Sequence, residues 1–395
     1  MAQVASDSVS TMPGNTSSVF YKLSDGSQTS VSNSDWHLAF DVSQFGASIR
    51  ANIQTGMDVY LYSGDTSTWS AVLDTAGINS WDKLYNSDAY WFAGAFEMAA
   101  GMDPFDVGWG MYNPSTHVIT GNRIYVIKLP NGELRKLWFQ NLLSGVYNFR
   151  IGDISGSMDM TYSVTKADFA GKNFGYFSFT NGSSLDREPM QGEWDLLFQK
   201  YMGDLGPGGY YGVTGVLSNA GVYVSEASGV DVNNAFYTDY TSDSLINTIG
   251  YDWKEFDMST FQYTIADDLC YFVQDRESNI WKLLMTGYGG SATGQINFSK
   301  ELISAVSIEE NINLLNVAVY PNPSIGGDIS LVFNLESDQA LVQIFDLSGR
   351  IIGEQSFQGR GFKQRRLNLD AANAGTYILR LVSGKSSITK KIIIQ

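Results

Sequence analysis

The sequence predicts an all-β protein. Three observations carry that prediction: a large supply of strand-forming aromatics, abundant glycine, and short runs in which apolar residues alternate with polar ones. The 395 residues include 22 Tyr, 22 Phe and 9 Trp alongside 40 Gly. Aromatic side chains suit pleated, half-buried surfaces, and glycine permits the tight turns between them. At roughly 100 to 200 residues per domain, a chain of this length should form two to four domains. The net charge is −16 and unevenly spread. Residues 314–395 hold 9 Lys and Arg against 6 Asp and Glu, a local +3, which leaves −19 on the first 313 residues. So acidic a surface repels nucleic acid and anionic lipid, and neither is expected as a partner.

An internal repeat organises the first 305 residues. YKLSDGS at 21–27 precedes DWHLAF at 35–40, and FSFTNGS at 177–183 precedes EWDLLF at 193–198. WGMYNPSTH at 109–117 leads into IYVIKLPNGELRKLWF, as WKEFDMSTF at 253–261 leads into CYFVQDRESNIWKLLM. Each copy then closes with an Asn-Phe pair, Asn148 and Phe149 in one, Asn297 and Phe298 in the other. Four blocks in the same order predict two tandem β domains, 1–160 and 172–305, with a boundary near 160–172. Trp36, Leu38 and Phe40 alternate, as do Trp194, Leu196 and Phe198, the period of a half-buried strand. That places His37 on the outer face. Its counterpart is Asp195, so His37 reads as a polar surface residue and not a ligand. The Asn-Gly of PNGE at 130–133 predicts a hairpin turn.

Chemistry is sparsely supplied. With two histidines and the single Cys270, no intrachain disulfide forms, and neither HExxH, GxSxG nor a Cys and His cluster is present. The expectation is a non-enzymatic protein with no catalytic residue to nominate and no metal site. Cys270, within LCYFV, reads as a core thiol. No run approaches 18 apolar residues, so no transmembrane helix is predicted. The first residues, MAQVASDS, lack the charged and apolar regions of a secretory leader, which leaves a cytoplasmic chain or one whose leader has been removed.

The C-terminal segment is built differently. ISLVFNL, ALVQIFDLSGRIIGEQSF and TYILRLVSGKSSITKKIIIQ read as short strands joined by turns at DLSGR and SGK, which predicts a small immunoglobulin-like β-sandwich. VYPNPS at 319–324, DLSGR at 346–350 and the C-terminal GTYILRLVSGKSSITKKIIIQ resemble the type A sorting domain of the bacterial type IX secretion system. The resemblance covers residues 314–395. It implies export across the outer membrane, recognition by the type IX secretion machinery, and a secreted or cell-surface location.

The two N-terminal copies resemble the HmuY-like haemophore domain. The shared pattern is a WDLAF-like strand, then WGMYNPSTH, then YVIK, a glycine-containing turn and a K-L strand. The first copy fits it from 17 to 150; the second, from 174 to 304, has Phe261 where the first has His117. The resemblance implies binding of haem or another hydrophobic small molecule in the first domain, with haem iron held by histidine or methionine as in the family's haem binders, which makes His117, Met98, Met102 and Met111 the candidate cofactor-binding residues. All three methionines lie in or beside the aromatic run YWFAGAFEMAAGMDPFDVGWGMY at 90–112, read as core packing or as the wall of a pocket. The alternative is a structural or adhesive surface protein with no small-molecule cofactor.

Overall fold

The computed structural model describes residues 4–304, 317–324, 326–335, 339–346, 349–359, 361–369, 372–383 and 386–395. It is all-β, 49% strand, with one turn of α-helix, Gly290–Thr293, among the described residues. The chain divides into two compact units, Met1–Ala305 and Val306–Gln395. The boundary expected near 305–314 falls on residues outside the described set.

Within the first unit, strands assemble into two lobes. In the first lobe one sheet runs Asp159–Thr165, Val146–Asp153, Leu134–Leu143, Val118–Gly121, Gly110–Asn113; Tyr125–Lys128 joins it along Leu134–Leu143 and carries Asp58–Leu61 beyond. Its other sheet runs Ser183–Leu185, Phe174–Ser178, Leu38–Asp41, Ile49–Ala51. The second lobe repeats the plan. One sheet runs Ala5–Ser10, Gln295–Ser304, Ile280–Tyr288, Leu269–Gln274, Tyr223–Ser228, and the other Tyr210–Ser218, Leu196–Asp204, Ser17–Tyr21, Gln28–Ser32. All these pairings are antiparallel.

The repeat is present with its parts exchanged. Val9 pairs with Ile296 as Val164 pairs with Tyr147, and Tyr21 pairs with Leu196 as Phe177 pairs with Leu38. Residues 5–32 and 159–185 are therefore equivalent segments, each docked on the body of the other copy. The first segment completes the sheets built from 196–304; the second completes those built from 38–153. A strand edge left open in either body would expose unpaired amide and carbonyl groups, and the exchanged segment covers it.

This arrangement changes the environment of the Trp36 strand. Leu38–Asp41 is buried on both faces, because Leu38 and Phe40 enter the core of the first lobe while Ala39 and Trp36 enter a separate core between the lobes. Trp36 packs edge-on against Tyr176 at 5.1 Å, and Trp194 edge-on against Phe20 at 5.0 Å, equivalent rings in equivalent segments. Period two described one face and missed the second core. Asn52 Nδ2 donates to the carbonyls of Trp36 and Asn33, both at 2.7 Å, and Asn219 Nδ2 to those of Trp194 and Gln191, both at 2.9 Å.

His37 is consequently not on an outer face. It is half-buried, its ring stacked on Phe179 at 4.5 Å, and Nδ1 accepts the Phe179 backbone N–H at 3.1 Å. Burial lowers its pKa to about 4, so the ring is neutral. Asp195 is fully buried and accepts the Leu23 N–H at 2.8 Å. The residue pair 37 and 195 thus performs one task, accepting a backbone N–H of the exchanged segment.

The PNGE hairpin forms as its Asn-Gly pair requires: Gly132 has φ of 86° and donates to Leu129 O at 2.8 Å. Cys270 is buried against Ala227 and Phe272, and burial raises its pKa.

The second unit holds two antiparallel sheets around one core. The first runs Ala318–Tyr320, Asp328–Leu335, Gly361–Asn368; the second runs Ile351–Gln358, Gln339–Phe345, Gly375–Ser383, Ser386–Ile394. Leu331 and Phe333 of one meet Val342, Leu379, Leu381 and Ile392 of the other. Both sequence-predicted hairpins are present, their turn residues 347–348 and 384–385 lying outside the described set. The strand Gly361–Asn368 has no counterpart in the sequence reading, since Leu367 is its one buried side chain among those described, and Lys363, Arg365 and Arg366 obscure its pattern.

Candidate functional site

The two copies of the Ser-Thr-ring motif form the same hairpin turn. Gly110–Asn113 and Val118–Gly121 pair around Pro114 to His117, and Lys254–Asp257 and Gln262–Ile265 around Met258 to Phe261. In each, the side chain of the last strand residue before the turn accepts the N–H two residues on, Asn113 from Ser115 at 2.9 Å and Asp257 from Ser259 at 2.7 Å. The ring residue then closes the turn, His117 N–H to Asn113 O and Phe261 N–H to Asp257 O, both at 2.8 Å. Both ring residues have left-handed backbones, φ of 56° at His117 and 55° at Phe261.

His117 is exposed and lines an open cleft of about 690 Å³. Its apolar walls are Phe45, Val107, Ile119, Leu142 and Leu143, and Lys166 sits among the lining residues. The Lys166 ammonium is engaged by the carbonyls of Ser43 at 2.7 Å and Gly46 at 2.6 Å, and burial lowers its pKa. The Tyr112 hydroxyl lies 2.7 Å from His117 Nδ1. The tautomer sets the donor: where the Nδ1–H donates to that oxygen, Nε2 keeps its lone pair and the contact orients the imidazole toward a metal, and where the hydroxyl donates, Nε2 carries the proton.

The methionines lie elsewhere. Met98 is 49% exposed and its sulfur accepts the Tyr85 N–H at 2.9 Å; Met102 is fully exposed; Met111 sits on the strand paired to Val118–Gly121. None of the three lines the His117 cleft. The aromatic run 90–112 does furnish core: Trp91 enters the core between the lobes, and Phe96 and Trp109 that of the first lobe. Between them Glu97 accepts Ile49 N–H at 3.0 Å and Ser48 Oγ at 3.1 Å, and burial pushes its pKa up to about 7.

Sequence reasoning missed Phe45 at this cleft because its segment is distant in sequence; Tyr112 was within the quoted motif, five residues before His117, and was passed over because alternation alone does not show that its hydroxyl meets the imidazole. It also missed the equivalent position in the second lobe, an open cleft of about 560 Å³ beside Phe261. The alternation Phe256, Phe261, Tyr263 on either side of the turn was the available signal.

Comparison with known proteins places the C-terminal unit. Residues 318–395 match the family described as Secretion system C-terminal sorting domain. The chain is therefore a secretion-system cargo, and the protein is secreted or attached to the cell surface. Among the described residues no helix is long and apolar enough to cross a membrane. No curated protein matches the chain. Among solved structures, the BSP domain of a biofilm-associated protein aligns at 9% identity over 100% of this chain and 81% of that one, with a TM-score of 0.17, too slight a likeness to inform the fold.

Proposed function

We propose that the protein is a non-enzymatic type IX secretion cargo, recognised by the secretion machinery through its C-terminal unit. In this reading the first lobe holds a flat hydrophobic small molecule, haem being the candidate, in the His117 cleft. The observation that carries this is a lone imidazole at an apolar-walled cleft, with one ring nitrogen already partnered by Tyr112. Its volume of about 690 Å³ is within the usual span for small-molecule sites, roughly 300–1,000 Å³. His117 would stand at the iron while Phe45, Ile119 and Leu142 cover the macrocycle. Haem would supply iron for carriage, and the chain would supply orientation and apolar cover. Met98, Met102 and Met111 contribute nothing to this version of the site.

Haemin titration of the full chain tests it. The expected result is one saturable equivalent with a Soret shift that His117→Ala abolishes and that Met98→Ala, Met102→Ala and Met111→Ala leave unchanged. No saturable shift would leave the structural or adhesive role, which the exposed aromatic hairpin of the second lobe favours.

A further inference from the structure

We propose that the second lobe carries a binding site for a neutral polysaccharide, formed by the hairpin at residues 254–265 and the turn at 288–292. Phe256, Phe261, Tyr263 and Tyr288 form a chain of rings that meet edge-on or tilted, with centroids 6.5 Å apart and planes at 69° from Phe256 to Phe261, 5.0 Å and 57° from Phe256 to Tyr263, and 4.8 Å and 67° from Tyr263 to Tyr288, so each exposed ring offers its own face to a ligand. Phe261 is 74% exposed. Its left-handed backbone is one that glycine or asparagine adopts freely and a bulky side chain adopts at a cost. Turn formation alone would not select a phenylalanine there. Gly290, also left-handed, lies where an added Cβ would meet the Tyr263 ring at 3.4 Å, so the turn backbone closes directly against that ring.

The ligand class follows from the lining. A pyranose presents a face of C–H groups and a rim of hydroxyls, so it needs an exposed ring face with hydrogen-bonding groups beside it. Gln262, Ser291 and the two tyrosine hydroxyls supply those groups; among the described residues no charged side chain lines the cleft, the nearest cation to its rings being Lys254, whose Nζ lies 5.0 Å from the Tyr288 ring centre. An aliphatic ligand would favour a closed apolar pocket, and this one is open. An anionic polysaccharide would meet the −19 carried by the first 313 residues. Secretion puts the cleft where extracellular polysaccharide is encountered. The site is separate from the His117 cleft and does not depend on the haem reading.

Saturation-transfer NMR and calorimetry on the full chain, with cellohexaose, laminarihexaose and mannohexaose as neutral probes and polygalacturonate as the anionic one, test the assignment. At least one neutral hexaose should bind. Phe261→Asn, which suits the left-handed turn, should weaken it about tenfold with the melting temperature unchanged. Tyr263→Ala should also weaken it, and His117→Asn in the first lobe should not. Absence of binding to all three neutral probes, preference for polygalacturonate, or wild-type affinity in Phe261→Asn would each overturn the proposal.

Discussion

The two lobes share a plan and differ at the junction where each receives the other copy's segment. In the second lobe Asp195 accepts Leu23 N–H at 2.8 Å and pairs with Lys22 at 3.1 Å, Lys22 also reaching Glu277 at 3.0 Å. In the first, His37 accepts Phe179 N–H and Ser178 occupies the position equivalent to Lys22. One junction is ionic and the other neutral. Burial raises the Asp195 pKa, opposed by the Leu23 N–H and by Lys22, whereas the His37 ring avoids that problem by staying uncharged. The same hydrogen bond is thus made by two chemistries, and each demands its own neighbour.

The largest expected effect comes from cutting across the exchange. A fragment 34–190 contains every strand of the first lobe and should unfold cooperatively. A fragment 1–160 lacks Phe174–Ser178 and Ser183–Leu185 and carries 5–32 with no body to receive it; it should show no cooperative transition and poor amide dispersion by NMR. Cooperative folding of 1–160 would mean that each segment also docks on its own body, and the comparison of junctions would lose its basis.

Exchanging the junction chemistry should have the next largest effect. Asp195→Ala leaves Lys22 buried with Glu277 as its remaining carboxylate, a loss of about 3–5 kcal/mol in urea unfolding. His37→Asp places a carboxylate beside Ser178 with no cation, a loss of about 1–3 kcal/mol. Adding Ser178→Lys should recover part of it. A double-mutant cycle with no coupling between positions 37 and 178 would show that the two junctions are not equivalent in space.

The smallest effect is on pH dependence, and it has opposite signs at different groups. His37 titrates near 6.5 when unfolded and at about 4 when folded, so its contribution to stability is complete above 6.5 and is lost as pH falls toward 4. Glu97 and Glu188 go from an ordinary 4.5 to about 7 through burial. Their contribution is complete below 4.5 and is lost as pH rises through 7. Lys254, lowered by burial from 10.5 to about 7, acts with His37, its contribution being lost as pH falls toward 7. Two carboxyls against one imidazole and one ammonium should still leave the first unit modestly more stable at about pH 5 than at about pH 8, and Glu97→Gln should flatten that slope. Chemical denaturation at a series of pH values measures it.

The sequence by itself determined the all-β class, the repeat, the hairpin at PNGE, the alternating hairpins of the C-terminal unit and its role as a sorting domain. These are local or near-local properties: strand period, turn residues and short motifs lie within a few residues of one another. Even the correspondence of His117 and Phe261 was legible, because both close the same four-residue turn. Only the tertiary structure decided which segment closes which body. The choice depends on strand pairings more than a whole repeat apart, such as Tyr21 with Leu196. It also decided that polar residues within strands point inward. Lys136 is 1% exposed and donates to Trp69 O at 2.7 Å, and its counterpart Lys282 is buried against the carbonyl of Val232. A period of two sorts residues to two faces but cannot state what covers each face. Here loops and the second lobe cover faces that would otherwise meet water, so His37, Asp195 and both lysines had to find partners inside the protein.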